Sequence, residues 1–271
     1  MGIKFRLIVM NFLQYAIWGS WLISLGAYLG GGLDFTGLQI GSFFATMGVA
    51  SLFMPAVMGI IADRWIPAQK LLGICHLVSG GFLIAAASQT AYGPLYSCML
   101  LSVMFYMPTI ALSNSVAYNA LDLARLDTVK HFPPIRVWGT VGFIAAMWFV
   151  DLTHIGGVQI KLTEWQLYVS AVLSFLLSVY SFSLPGCPVD RNVKARSWVD
   201  TLGLRAFTLF KEKRMAIFFV FSMLLGAALQ ITNAFGDSYI QSFGSMPQYA
   251  DSAIVKHSVI LLSLSQMSET L

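Results

Sequence analysis

Charged residues are scarce in this sequence. Only 10% of its 271 residues are Asp, Glu, Lys or Arg, whereas 57% are hydrophobic and the mean hydropathy is +0.74. Ordinary water-soluble domains carry about 25% charged residues. The composition therefore excludes a typical soluble domain and indicates an all-α, polytopic membrane protein that is solvated mostly by lipid.

Cysteine and clustered metal ligands are also lacking. The three cysteines are odd in number and far apart, which indicates neither a disulfide framework nor a metal site. The four histidines are scattered, and neither an H-E-x-x-H motif nor a nucleophile elbow occurs. We therefore expect no enzyme, no metal and no organic cofactor. The sequence also has no dense basic and aromatic surface segment, so nucleic acid is not an expected partner.

Long apolar runs dominate what is present. Most of them approach the roughly 20 residues that a helix needs to cross a bilayer. The spans predicted from these runs are 7–29, 40–61, 71–87, 95–117, 135–150, 167–184, 215–235 and 254–271.

Lysine and arginine are sorted between alternate connections. Cytoplasmic loops accumulate these residues near membrane ends, so the pattern predicts a cytoplasmic N-terminus. The basic residues predicted on the cytoplasmic side are Lys4, Arg6, Arg64, Lys70, Arg125, Lys130, Arg191, Lys194, Arg196, Arg205, Lys211, Lys213 and Arg214. Only Lys161 and Lys256 are predicted on the outer side.

The spacing of the spans divides the chain into three segments. Residues 1–184 are predicted to form an N-terminal six-helix bundle, 185–214 a cytoplasmic linker, and 215–271 the start of a C-terminal bundle. This is the layout of a transporter built from two six-helix halves. With about eight of twelve spans present, we expect the sequence to be a fragment of a longer reading frame.

An arginine inside a span is the most informative charge. Arg136, Thr140 and Phe143 follow at i, i+4 and i+7 and share one helix face. An ionisable group within a membrane is costly and indicates a function. Pro133 and Pro134 are predicted to begin this helix, because its first turn needs no amide hydrogen. The three side chains suit a small, polar, ring-bearing solute.

The last two spans add amides and a carboxylate. Gln230 and Asn233 are three residues apart on one face, and so are Gln266 and Glu269. Glu269 lies about 22 Å along its helix, past the middle of a core about 30 Å thick, so its carboxylate must be paired, protonated or beside water. Two structural interpretations stay open. The amides could serve only as contacts between helices, and Arg136 could form an ion pair with Glu269.

The turn after the second span carries a short charged motif. Gly59, Asp63 and Arg64 resemble the Gly-x-x-x-Asp-Arg/Lys core of the gating-loop signature of the major facilitator superfamily. An ordinary charged cytoplasmic turn would show the same residues, so the motif alone does not decide between the two.

The first span carries a stripe of polar and aromatic residues. Gln14, Trp18 and Trp21 follow one helix face. Tryptophan can stack on a flat solute, but within spans it also packs between helices or anchors them at the interface. Both roles stay open for Trp18.

Several segments together resemble the nucleoside:proton symporters of the major facilitator superfamily along the whole chain. The segments are FLQYAIWGSW (12–21), YMPT (106–109), FPPIRVWGTVGF (132–143), KRMAIFF (213–219), LQITN (229–233) and SQMSETL (265–271). The resemblance implies a nucleoside site lined by Arg136, Thr140, Phe143, Gln230, Asn233, Gln266 and Glu269, in which Glu269 is the candidate for proton coupling.

The resemblance also implies a cellular role. The protein would import nucleosides such as uridine and adenosine with protons across the bacterial cytoplasmic (inner) membrane, as a monomer in the lipid bilayer. The nearest alternative is a transporter of the same superfamily for a sugar or an organic anion, because Arg136 suits an anion. A membrane-embedded receptor that binds its solute without moving it is the other alternative.

Overall fold

Helices form most of the computed structural model, which describes residues 2–189, 204–249 and 251–268. The α-helices are α1 (Ile3–Gly19), α2 (Leu25–Ala27), α3 (Gly37–Arg64), α4 (Ala68–Ala87), α5 (Tyr92–Leu123), α6 (Thr128–Leu152), α7 (Trp165–Ser181), α8 (Lys213–Ser242), α9 (Ala253–Lys256) and α10 (Ser258–Ser268). A π-helical turn, Tyr28–Gly32, follows α2. Strands β1 (His154–Ile155) and β2 (Val158–Gln159) form a short antiparallel hairpin between α6 and α7. Short 3-10 segments are Ile160–Leu162, Leu204–Lys211 and Phe243–Ser245.

Five helices in the described residues are long and apolar enough to cross a membrane. They are α3, α4, α5, α6 and α8, and they coincide with the spans predicted at 40–61, 71–87, 95–117, 135–150 and 215–235. Helices α7 and α10 are apolar but shorter, with 17 and 11 residues. The chain is therefore a multi-pass membrane protein.

The first predicted span is interrupted. Helix α1 ends at Gly19, and a turn over residues 20–24 separates it from α2. The Ser20 hydroxyl donates to the carbonyl of Ala16 at 2.8 Å, and the Ser24 hydroxyl donates to the Gln166 side chain at 2.9 Å. Serine side chains that bond in this way compete with the regular helical pattern. The continuous apolar run did not reveal this break.

Helix α6 begins earlier than at the two prolines where its start was predicted. The Asp127 carboxylate accepts a hydrogen bond from the backbone N–H of Val129 at 2.9 Å, and the helix starts at Thr128. A capped N-terminus of this kind satisfies a free amide and fixes the first turn. Pro133 and Pro134 therefore lie inside the helix, and the prediction that they begin it was wrong.

Glycines let α1 and α6 touch along their backbones. A Cβ on Gly142 would lie 2.8 Å from the carbonyl carbon of Phe12, and a Cβ on Gly19 would lie 2.8 Å from the Cα of Phe143. Small residues at membrane helix interfaces permit such close approach. The backbone at Phe143 is therefore held directly against α1.

Buried polar side chains join three helices of the N-terminal part. Gln14 Nε2 donates to Thr109 Oγ1 at 2.7 Å, and His76 Nε2 lies 2.8 Å from Gln14 Oε1. The Tyr106 hydroxyl donates to the backbone carbonyl of Gln14 at 2.7 Å. All four side chains are buried. Gln14 thus acts as a contact between α1, α4 and α5, as polar groups between membrane helices often do.

The bundle has two ends, which we name by the predicted topology. The outer end carries the connections 88–91, 153–164 and 243–252, and the inner end is the opposite one. Helix α8 packs on α2 near the outer end, where Ala234 and Asp237 are buried. Toward the inner end, most side chains between Lys213 and Leu229 are exposed. In the described residues, α8 therefore meets the N-terminal helices through its outer half.

Candidate functional site

A cavity of about 500 Å³ lies between the N-terminal helices and α8. Its walls come from α1, α3, α5 and α8 and are mostly apolar. Cavities of this size hold small organic molecules. The lining residues are Trp18, Gly41, Phe44, Ala45, Met47, Gly48, Ser51, Met107, Gln230, Ile231, Ala234 and Phe235.

Two of the cavity-lining side chains have buried hydrogen-bond donors to which no described group bonds. They are the indole Nε1 of Trp18 and the amide Nε2 of Gln230. A buried donor without a partner costs free energy, so such a group is commonly satisfied by water or by a ligand. The Phe44 and Phe235 rings lie 6.2 Å apart beside these donors. The cavity can therefore receive a flat ring that carries hydrogen-bond acceptors.

Trp18 connects this cavity with the predicted site on α6. Its ring lies 6.5 Å from the Phe143 ring in an edge-to-face arrangement and 5.9 Å from the Tyr106 ring. Edge-to-face and tilted pairs are favourable aromatic geometries. Phe143 is buried, so it holds one side of the Trp18 indole while the indole N–H remains available. The structure is compatible with both roles left open for Trp18. Its ring packs against neighbouring rings, and it also lines a cavity in which a flat solute can stack.

Arg136 lies over an aromatic ring of α1. Its guanidinium carbon is 3.8 Å from the centroid of the Tyr15 ring, which is a cation–π contact. Arg136 and Thr140 are both half-buried, one turn apart on α6. The cation is thus directed toward α1 within the bundle.

Three of the remaining predicted binding residues, Gln230, Asn233 and Gln266, lie on α8 and α10. Asn233 is half-buried, three residues after Gln230, and Gln266 is buried, three residues after Ser263. The Trp148 indole N–H on α6 donates to the Ser263 hydroxyl at 2.9 Å, which fixes α10 against the helix that carries Phe143. Glu269 lies outside the described residues.

The predicted gating residues are helical. Gly59, Asp63 and Arg64 belong to the last turns of α3, and the connection to α4 is formed by residues 65–67. The prediction of a turn at these positions was therefore wrong, because the helix continues to Arg64. A Cβ on Gly59 would have no other described atom within 4 Å, so the glycine makes no close helix contact there.

A second cavity, of about 440 Å³, lies on α1, α6 and α7. It is lined by apolar and aromatic side chains, among them Phe12, Phe149, Trp165 and Tyr168. Apart from the aromatic tips, the described wall offers little to orient a polar solute. The first cavity is therefore the better candidate for a solute site.

The outer end contains a buried cluster of charged and polar side chains that was not predicted from the sequence. We call it the outer cluster, and its members are Asp151, Lys161, Asp237, His257 and Ser258. Lys161 was predicted in an outer loop, yet its side chain is 1% exposed. Asp151 and Lys161 flank the short β1–β2 hairpin. Their opposite charges on the two sides of a tight connection are the sequence feature from which an ion pair could have been predicted.

The outer cluster joins both parts of the chain. Lys161 Nζ lies 2.6 Å from Asp151 Oδ1 and donates to the Ser258 hydroxyl at 3.2 Å. The Ser258 hydroxyl in turn donates to Asp237 Oδ1, and Gln241 Nε2 donates to Asp237 Oδ2 at 2.9 Å. These contacts connect the α6–α7 connection with α8 and the start of α10.

Comparison with known proteins identifies the family. Residues 1–271, the whole chain, match the family model described as nucleoside H+ symporter. The chain belongs to this family. It is a family of transporters, as expected from the sequence, and proton coupling is part of its description.

Individual relatives agree with the family. The xanthosine permease of Escherichia coli (strain K12) is 51% identical over 269 residues, which are 99% of this chain and 63% of the permease. The nucleoside permease NupG of the same strain is 46% identical over 271 residues, which are 100% of this chain and 64% of NupG. The chain therefore spans less than two thirds of the length of these relatives.

Solved structures of NupG have the same fold. One crystal structure matches with a TM-score of 0.87 over 100% of this chain and 65% of the solved chain. That of a NupG mutant matches with a TM-score of 0.90 over 99% and 66%, and both are 46% identical in sequence. The predicted major facilitator fold is confirmed over the part of these structures that the chain covers.

Proposed function

We propose that the protein imports nucleosides together with protons across the bacterial cytoplasmic membrane by alternating access. The observation that carries this proposal is the cavity between α1, α3, α5 and α8, with aromatic walls and with donors on Trp18 and Gln230 to which no described group bonds. A nucleoside base is flat and carries carbonyl and ring-nitrogen acceptors, so it matches both features. The relatives named for nucleoside and xanthosine transport support this class of solute.

In this proposal, different predicted residues bind the base, the ribose and the coupled proton. Phe143 supports Trp18 at the base, and Gln230 offers its amide to an acceptor on the base edge. Asn233 and Gln266 have amides that both donate and accept, which suits ribose hydroxyls. Glu269 takes up the coupled proton.

Arg136 tunes this chemistry by charge. The Arg136 guanidinium would bind the solute or attract the Glu269 carboxylate, because opposite charges favour each other. Thr140, one turn further along α6, would offer its hydroxyl to the same solute.

The packing of α8 supports access that alternates between the two ends of the bundle. The described contacts between the N-terminal helices and α8 lie in its outer half, which corresponds to an arrangement closed at the outer end. Rocking of the two halves would open that end and close the inner one. We further propose a monomer in the lipid bilayer, with a cytoplasmic N-terminus and with Gly59, Asp63 and Arg64 near the inner gate.

Uptake in cells tests the proposal. The reading frame that encodes this chain, in its full length, is expressed in cells deficient in nucleoside uptake, and labelled uridine and adenosine are supplied with and without a proton gradient. We expect gradient-dependent uptake that is lost in Glu269→Gln and in Arg136→Ala. The exposed Glu212 at the start of α8 provides a matched control, since Glu212→Gln should retain uptake.

Surface expression of every variant is measured in the same cells. Absence of uptake by a well-inserted wild-type protein would refute the nucleoside assignment. Uptake by Glu269→Gln that still depends on the gradient would refute the role of that carboxylate.

A further inference from the structure

The buried charges of the outer cluster do not balance. Asp151 and Asp237 are fully buried carboxylic acids, with 0% exposure. Lys161 is the one buried lysine that faces them among the described residues. A buried charge without a counter-charge is strongly unfavourable, so a second positive charge or a proton must complete the cluster.

His257 is placed to supply that charge. Its Nδ1 lies 2.7 Å from Asp151 Oδ2, the oxygen that Lys161 does not contact. Its side chain is 38% exposed, whereas Asp151, Lys161 and Asp237 are at most 1% exposed. His257 is therefore the member of the cluster that the outer solution reaches. Histidine is also the side chain whose charge ordinarily changes between about pH 5 and 8.

The charged groups around His257 come from every element that packs against it. Asp151 closes α6, Lys161 lies before α7, and Asp237 stands on α8 behind Ser258. The neighbouring Lys256 is 54% exposed and pairs with Asp251 at 2.9 Å, so its ammonium is directed to solvent. Its backbone carbonyl, by contrast, accepts from Lys161 Nζ at 2.7 Å.

We propose that the outer cluster is a proton-binding site, in which uptake of a proton by His257 from the outer solution holds the two halves together at the outer end. The neutral imidazole donates its Nδ1–H to Asp151, and its free Nε2 takes the proton from a hydronium ion, which leaves water. The imidazolium and the Lys161 ammonium then balance the two carboxylates. This site is separate from Glu269.

The inference rests on the proposed alternating-access function. Within that cycle, the outer cluster closes the outer gate when the outer solution is acidic, before the inner end opens. Deprotonation leaves one carboxylate unbalanced, and the outer end separates more readily. The pH of the outer solution thus acts on the gate itself as well as on the solute site.

A cysteine between the halves reports opening at the outer end. Ser238 on α8 lies against α2, since a Cβ on Gly26 would be 3.2 Å from its hydroxyl oxygen. That hydroxyl is buried and has no partner among the described groups, so Ser238→Cys removes no hydrogen bond seen there. The variant is made in a background with every native cysteine replaced by alanine. A membrane-impermeant maleimide is added from outside at about pH 5.5 and about pH 8.

Thiol reactivity itself rises with pH, so a reference is required. Thr90 lies exposed in the α4–α5 connection at the same end, and Thr90→Cys supplies the exposed thiol. The measured quantity is the labelling rate of Ser238→Cys divided by the labelling rate of Thr90→Cys. We expect this ratio to rise about threefold or more from about pH 5.5 to about pH 8.

Substitutions at His257 separate the proposal from a general disturbance of the fold. His257→Gln should give the high ratio at both pH values, and His257→Lys, which stays charged, should give the low ratio at both. His154 provides the matched control, because it is an exposed histidine of the same end whose ring bonds the Leu152 carbonyl, outside the cluster. His154→Gln should keep the wild-type response.

The proposal would be overturned by a ratio in the wild type that does not change with pH, or by a change that persists in His257→Gln. Equal ratios in His257→Gln and His257→Lys would do so as well. The assay uses no nucleoside, so its outcome is independent of the uptake experiment, and the failure of one proposal can be told from the failure of the other.

Discussion

Replacement of Gly142 by alanine should destabilise the protein by separating α1 from α6. The added methyl carbon would lie 2.8 Å from the Phe12 carbonyl carbon and 2.9 Å from the Phe12 Cα, and it would meet the Phe12 carbonyl oxygen as well. Backbone atoms cannot rotate aside as a side chain can. To restore an ordinary contact, the two helices must move apart by about 0.6 Å or more.

The magnitude follows from two opposing effects. Overpacking in a tight interior costs about 1–3 kcal/mol, and a backbone clash lies at the upper end of that range. Alanine recovers about 1 kcal/mol because it is the better helix former. The net loss is about 2 kcal/mol, which for a chain of this size corresponds to a Tm about 4–8 °C lower.

Gly48 on α3 provides the matched control. A Cβ on Gly48 would have no other described atom within 4 Å, so Gly48→Ala should leave the Tm unchanged or raise it slightly. Both variants are heated in detergent, and the folded fraction is read by size-exclusion chromatography. If Gly142→Ala proved as stable as Gly48→Ala, the backbone contact between α1 and α6 would not have the role given to it here.

Two further predictions concern the cavity and a cysteine of the predicted linker. Trp18→Phe should raise the KM of nucleoside uptake about tenfold, because it removes an N–H donor worth about 1.4 kcal/mol, whereas Trp21→Phe should leave it within about twofold. An unchanged KM in Trp18→Phe would exclude the indole as a donor to the solute. Burial raises the pKa of the Cys187 thiol, despite a hydrogen bond from Asn119 to its sulfur. At neutral pH its thiolate fraction is therefore low, and its alkylation rate should lie below that of glutathione and keep rising at a pH where glutathione levels off; equal profiles would contradict this.

The apolar pattern was sufficient to predict the long helices but not to predict where a helix is interrupted. The spans at 40–61, 71–87, 95–117, 135–150 and 215–235 each coincide with a long helix, because hydropathy reports what the bilayer requires of a segment as a whole. The turn after Gly19 depends on serine hydroxyls that bond a neighbouring carbonyl and Gln166. Such bonds involve distant residues, and hydropathy contains no information about them.

The candidate site was predictable only in part, for a related reason. Periodicity placed Arg136, Thr140 and Phe143 on one face of a helix, and spacing placed Gln230 on another. Neither could show that the Trp18 ring packs against Phe143 and also lines one cavity with Gln230, because this depends on how α1, α6 and α8 pack.

The charge rule likewise predicted an outer connection for Lys161 but did not predict its burial. A count of basic residues in loops describes the side of the membrane, not whether a side chain is covered. Lys161 is covered because α8 and α10 supply Asp237 and Ser258 from far along the chain.

The pairing of Lys161 with Asp151 also bears on biogenesis. Both residues are synthesised before α8 and α10 exist, and N-terminal parts of a chain fold first. When the β1–β2 hairpin forms, the ammonium already has a carboxylate 2.6 Å away, so the nascent N-terminal helices carry a neutral pair at their outer surface. Newly made α8 and α10 then cover an ion pair instead of a lone charge. The pair loses its water only late in assembly, when Ser258 and the Lys256 carbonyl arrive as further hydrogen-bond partners and offset the desolvation cost.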